Sequence, residues 1–122
     1  NPLLLGGQIE GGILQGVGYA LSEELIFEKG RLMNPNFHNY KIPTASDIPN
    51  IHFFPVETND KQGPYGAKGV GEAPLIPTAA AIANAVCNAL GVEFVELPLT
   101  PERILKELSV KAKINNEKNK TK

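Results

Sequence analysis

Between Gln8 and Phe27 the apolar residues Ile9, Ile13, Leu14, Val17, Leu21 and Leu25 recur at helical spacing, yet Gly11, Gly12, Gly16 and Gly18 sit inside the same stretch. The period predicts an amphipathic helix. Each glycine destabilises a helix interior by about 1 kcal/mol relative to Ala. A helix carrying so many needs an offset, and the usual one is close approach of another backbone or of a ligand to the glycine-bearing face. Glu23, Glu24 and Glu28 carry this predicted helix into water, and Lys29-Gly30 ends it.

The remaining pattern alternates. Gly30 to Ile42 reads as extended, with a turn at Asn34-Pro35-Asn36, and Pro43 to Pro49 reads as a loop. Ile51 to Glu57 has the aromatic and β-branched content of a strand, although Pro55 assigns it to an edge or an interruption. Pro74 to Leu90 is Ala-rich and predicts a helix stopped by Gly91. Val92 to Leu97 alternates as a strand. Thr100 followed by Pro101 predicts a capped helix start. This order points to an α+β domain, with helices packed on one face of a mixed β-sheet as a two-layer sandwich.

The chain's 122 residues suit one domain with a modest core. No apolar run reaches membrane-spanning length, and Asn1 to Leu5 lacks the marks of a signal peptide, so no membrane partner and a cytoplasmic location are expected. Cys87 has no partner for a disulfide, and His38 and His52 alone make no zinc set. Residues 1–108 hold seven Lys/Arg and twelve Asp/Glu, whereas the end from Ser109 holds five Lys and only Glu117. Residues 109–122 are therefore expected to be a disordered basic tail, solvated and without a nucleic-acid partner. Asn1-Pro2 reads as the middle of a turn, so the chain is expected to be a piece of something larger.

The segment Gly66-Ala-Lys-Gly-Val-Gly-Glu72 places a carboxylate at the end of a glycine-rich turn, just where an apolar helix begins. Partly stripped of water, such a carboxylate is suited to general-base work near neutral pH. The spacing is neither a phosphate loop nor a dinucleotide fingerprint. On residue physics alone, Glu72 also fits an acid capping the following helix.

Three segments resemble one family in the same order. They are Gln8-Ile-Glu-Gly-Gly-Ile-Leu-Gln-Gly-Val-Gly18, Tyr40-Lys-Ile-Pro-Thr-Ala-Ser-Asp-Ile-Pro49 and Gly66 to Glu72. The family is the molybdenum hydroxylases, of xanthine dehydrogenase and aldehyde oxidase type, and the match is to the C-terminal end of their molybdopterin-binding subunit. Leu97-Pro-Leu-Thr-Pro-Glu-Arg-Ile-Leu105 is similar to the closing segment of bacterial and archaeal members. The resemblance makes residues 1–108 a C-terminal molybdopterin-binding domain. One departure is Ala73, where proline often follows the motif's glutamate.

What the resemblance implies is an oxidoreductase that hydroxylates a carbon of a small molecule with water-derived oxygen. Glu72 then acts as general base for the Mo–OH group. Gln8 matches a glutamine that hydrogen-bonds the pterin, and Lys68, Gly69, Val70 and Gly71 match the wall beside the cofactor. The glycine-bearing face of the first helix is expected against that cofactor. Molybdenum-molybdopterin would be shared with the remainder of the subunit, and electrons would leave through 2Fe–2S clusters and FAD on iron–sulfur and flavin partners. The chain alone is expected not to turn over. Bland readings stand beside these: Gln8 as an ordinary helix-start residue, Lys68 as a surface turn lysine, and the whole chain as a non-catalytic interaction or assembly module derived from the family.

Overall fold

In the computed structural model, which describes residues 1–120 and side chains through residue 114, the first helix starts before Gln8. Helix α1 spans Pro2–Leu21. Asn1 is its N-cap: the side-chain oxygen accepts from the amides of Leu3 at 3.1 Å and Leu4 at 3.3 Å. Pro2 fills a first-turn position whose missing N–H has no helical partner anyway. What reads as a turn dipeptide is thus a helix start.

At its other end α1 stops at Leu21, short of the expected Phe27. Both Ser22 and Glu23 turn their amides back onto the Gly18 carbonyl. A buried asparagine then directs the chain. Asn34, 4% exposed, accepts from the Ile26 amide at 2.9 Å and donates to the Glu24 carbonyl at 2.6 Å. Residues 24–28 therefore leave the helix and form one arm of a hairpin. Strands β1 (Phe27–Glu28) and β2 (Arg31–Leu32) pair antiparallel, Phe27 opposite Leu32 and Glu28 opposite Arg31. Lys29 and Gly30, with φ of 50° and 80°, are the two-residue turn between them. Positive φ at both positions matches the twist of the flanking strands. Lys29-Gly30 is a hairpin tip rather than a helix end.

Helix α2 covers Leu75–Leu90, as its composition predicts, and Gly91 caps it at φ 60° by donating to Cys87 O. Helix α3 covers Pro101–Lys120, with Thr100 Oγ1 accepting from the Arg103 amide. It runs across residue 108, beyond which a tail is expected; residues 121 and 122 of that tail lie outside the described residues. No helix among the described residues is long and apolar enough to cross a membrane.

The expected α+β two-layer architecture is overturned. Among the described residues the fold is a small helical assembly whose sheet is confined to the β1–β2 hairpin. Residues 51–57 and 92–97 carry strand composition but lie in no ladder among the described residues. A strand exists only where a neighbour accepts and donates its backbone hydrogen bonds. Here Phe54, Val56 and Val95 project outward, at 87%, 82% and 92% exposed.

The offset for the glycines of α1 is another helix. A Cβ on Gly12 would lie 2.9 Å from Pro74 Cβ, and one on Gly16 only 2.5 Å from Thr78 Cβ. The Pro74 and Thr78 side chains of this second element pack directly on the glycine backbone of α1, so the expectation that the glycine face lies against a cofactor is corrected for these two positions. At the far end of α1, Ala20 and Leu99 are fully buried and joined by Leu99 N donating to Ala20 O at 2.6 Å. Arg103 of α3 adds an ion pair with Glu24 and donates to Pro98 O.

Candidate functional site

The loop that leads into α2 is shaped by two turns. Residues Pro64–Gly66 form a short 3-10 turn in which Tyr65 and Gly66 both have positive φ, 54° and 75°. Asp60 N donates to Gly66 O at 3.0 Å, tying the turn to the preceding polar loop. Gly63 is required locally, since a Cβ there would sit 2.1 Å from the Ala67 carbonyl oxygen.

Gly69 and Gly71 are different. Neither has positive φ, and an added Cβ at either would meet no atom of the described residues within 4 Å. Nothing among the described residues asks for glycine at these positions. An open backbone of this kind admits close approach by a group from outside the chain.

The structure joins the two sequence segments that carry the candidate site. Gln8, on the second turn of α1, donates from Nε2 to the carbonyl of Gly71 at 2.9 Å, across 63 residues of sequence. Glu72 follows directly. Its carbonyl accepts from Leu75 N at 3.0 Å as the chain enters α2, and its side chain is exposed. The capping alternative finds no support, because α2 is capped by Pro74 without any side-chain hydrogen bond. Nor is the carboxylate buried among the described residues, so the expectation that its neighbours partly strip it of water is not met either. Val70 and Lys68 are also exposed. Lys68 borders a groove of about 580 Å³ between the start of α1 and the neighbouring loops, shared with Leu5, Val56, Asn59 and Tyr65. Gln8, Gly71 and Glu72 are thus brought together, while Lys68 faces a separate concavity.

Among the described residues, no group of three His, Cys, Asp or Glu side chains is placed to hold a metal ion. His38 and His52 are exposed. Cys87 accepts a hydrogen bond from the Phe94 amide at 3.4 Å.

Two polar contacts that sequence reasoning passed over hold the segment 40–49 against α1. Tyr40 donates to Glu23 Oε2 at 2.6 Å, and this bond, with a smaller contribution from burial, pushes the phenol up to about 12. Ser22 Oγ donates to Lys41 O at 3.0 Å. Gly18 leaves room for the Glu23 carboxylate, whose Oε1 occupies the place of a Cβ. Farther along, Thr44 donates from both N and Oγ1 to Asp47 Oδ2, at 2.7 and 2.8 Å. The Thr44/Asp47 spacing is a capping-box signal that could have been read from sequence.

A family profile described as "Molybdopterin cofactor-binding domain" matches residues 1–49. The chain is 50% identical over 109 residues to the "Xanthine dehydrogenase molybdenum-binding subunit" of Escherichia coli O157:H7, covering 88% of this chain and 14% of that protein. It is 39% identical over 110 residues to the "Nicotine 6-hydroxylase large subunit" of Paenarthrobacter nicotinovorans, covering 87% of this chain and 14% of that protein. Among solved structures it resembles quinoline 2-oxidoreductase from Pseudomonas putida 86, with a TM-score of 0.83 and 39% identity over 89% of this chain and 14% of that one. It also resembles the aldehyde oxidoreductase from Desulfovibrio gigas, with a TM-score of 0.79 and 40% identity over 89% of this chain and 12% of that one. The chain therefore spans about one seventh of the length of the proteins it matches. On this agreement of sequence and fold, the chain belongs to the molybdenum hydroxylase family of xanthine dehydrogenases and aldehyde oxidases, and corresponds to its C-terminal molybdopterin-cofactor-binding part.

Proposed function

We propose that this chain contributes one wall of a molybdopterin site and its general base, Glu72, to an oxidoreductase that hydroxylates a carbon of a small organic molecule with oxygen taken from water. The observation that carries this reading is the hydrogen bond from Gln8 to Gly71 O, which sets the motif ending in Glu72 beside the start of α1.

The residues present fit the cofactor on structural grounds. The backbone at Gly69 and Gly71 is open, with no neighbour among the described residues to explain the glycines, and Gln8 keeps its side-chain oxygen and second N–H for a polar pterin edge. When bound, the molybdenum–pterin group supplies the oxygen-activating and electron-accepting chemistry. This chain's part is to present the carboxylate. Glu72 accepts, at one carboxylate oxygen, the proton released as oxygen is transferred to the substrate carbon. Its exposure here leaves it accessible to a substrate seated against the Lys68–Gly71 strap. The strap is itself exposed and forms one open side of the pocket, with Lys68 turned to the neighbouring groove. The rest of a larger subunit completes the pocket, and iron–sulfur and flavin partners take the electrons onward.

The test is Glu72→Gln in the complete assembled complex. Turnover should fall by ~10²–10⁴-fold, the usual contribution of a positioned base, while molybdenum and pterin content stay at the parent level. Retention of more than about a tenth of the parent rate removes Glu72 from this role.

A further inference from the structure

Three contacts lie along one stripe of α1, at residues four apart. Gln8 holds the Gly71 carbonyl, Gly12 abuts Pro74, and Gly16 abuts Thr78. The partners bracket Glu72, with Gly71 immediately before it and Pro74 two residues after. The carbonyl that Gln8 holds belongs to the planar peptide linking Gly71 to Glu72. Fixing that plane restricts the direction in which the Glu72 side chain departs. Among the described residues no other hydrogen bond reaches residues 68–71, so Gln8 is the polar restraint on an otherwise open strap.

We infer that Gln8 is a positioning residue for Glu72, acting through the Gly71 carbonyl to set the backbone from which the carboxylate is presented. The inference rests on the general-base reading of Glu72. It gives Gln8 a task separable from any contact with the cofactor, because one N–H serves Gly71 while the amide oxygen faces elsewhere.

The experiment is a double-mutant cycle in the complete assembled complex, comparing the parent, Gln8→Met, Glu72→Gln and the double variant. Methionine keeps the length of glutamine without a donor. Because Gln8→Met also removes the amide oxygen offered to the pterin, rates are expressed per bound molybdenum; the expected result is kcat per molybdenum lowered about 10- to 100-fold, as for a displaced catalytic group, and KM nearly unchanged. In the Glu72→Gln background the same substitution should change kcat by less than about twofold, since the group it positions is already gone. Hydrogen exchange at residues 68–75 should quicken in Gln8→Met and stay at the parent rate in Glu72→Gln. Equal losses of kcat per molybdenum in both backgrounds, or no loss at all, would each overturn the inference. If Gln8→Met does not assemble, Gln8→Glu, which also lacks the donor, takes its place. Failure of both assigns Gln8 to folding and likewise overturns the proposal. A Glu72→Gln complex at the parent rate refutes the base reading itself, whatever Gln8 does.

Discussion

Lys111 of α3 donates from Nζ to the carbonyls of both Leu90 and Gly91, at 2.9 and 2.8 Å, closing the C-terminal end of α2 with a side chain from another helix. The last carbonyls of a helix have no partner within it, and the negative end of its dipole favours a cation. Lys111→Met should therefore lower stability by about 1 kcal/mol. Chemical unfolding of the chain, together with amide exchange in the last turn of α2, measures this. An unchanged transition and unchanged exchange at Cys87 to Gly91 would show that the contact adds nothing.

The glycines of α1 are predicted to separate into two classes. Gly16→Ala forces a methyl to 2.5 Å from Thr78 Cβ, and overpacking of this kind costs about 1–3 kcal/mol. Gly11→Ala meets nothing within 4 Å among the described residues, so the helix gains up to about 1 kcal/mol of propensity. Thermal unfolding of the two variants should shift in opposite directions. A shared direction contradicts the packing assigned to α1 and α2.

Asn34→Ala removes the acceptor for Ile26 N–H and the donor for Glu24 C=O at a buried position. Leaving buried backbone groups unsatisfied costs about 1–3 kcal/mol. The loss should appear in the hairpin first, as faster exchange at Ile26 and at Met33, whose amide donates to the Ile26 carbonyl. Protection retained at both amides would show that the hairpin forms without its asparagine.

Asp47 accepts from Thr44 N–H and Oγ1, and these bonds hold its carboxyl below the ordinary value of 3.8. A carboxyl lowered in the folded state stabilises the fold above that value, and the contribution disappears as pH falls through the folded titration. The Thr44 amide resonance should report a midpoint below 3.8, and its chemical shift should be flat from pH 5 to 8. In Asp47→Asn the acid-induced movement of that resonance should be absent. A midpoint at or above 3.8 would falsify the capping arrangement.

Much of the helical content was legible because helix signals are local. The Ala-rich run before Gly91 and the Thr100-Pro101 start each contain their own reasons for forming. Asn1-Pro2 contained such a reason too, as N-cap and first helical residue, and was passed over because the apolar period becomes regular only near Gln8. The hairpin was misread for a different cause. Leu25 continues the helical spacing of α1, and only the long-range bonds of Asn34 turn the chain aside. The sheet was the main error, since composition at Ile51 to Glu57 and Val92 to Leu97 describes what a residue does beside a neighbouring strand and cannot supply the neighbour. At the candidate site, the motif ending in Glu72 and the candidate Gln8 were both visible as residues. Their contact was not, because a hydrogen bond across 63 residues leaves no periodic trace.

The bonds between Leu99 and Ala20 and between Arg103 and Glu24 fasten the beginning of the last helix to the exit of the first. Mechanically, this makes the chain a loop that returns to its own starting element. Tension applied at Pro101 is borne by the same rod that carries Gln8 three turns away, so truncation behind Leu97 should loosen the Gln8 end without touching it.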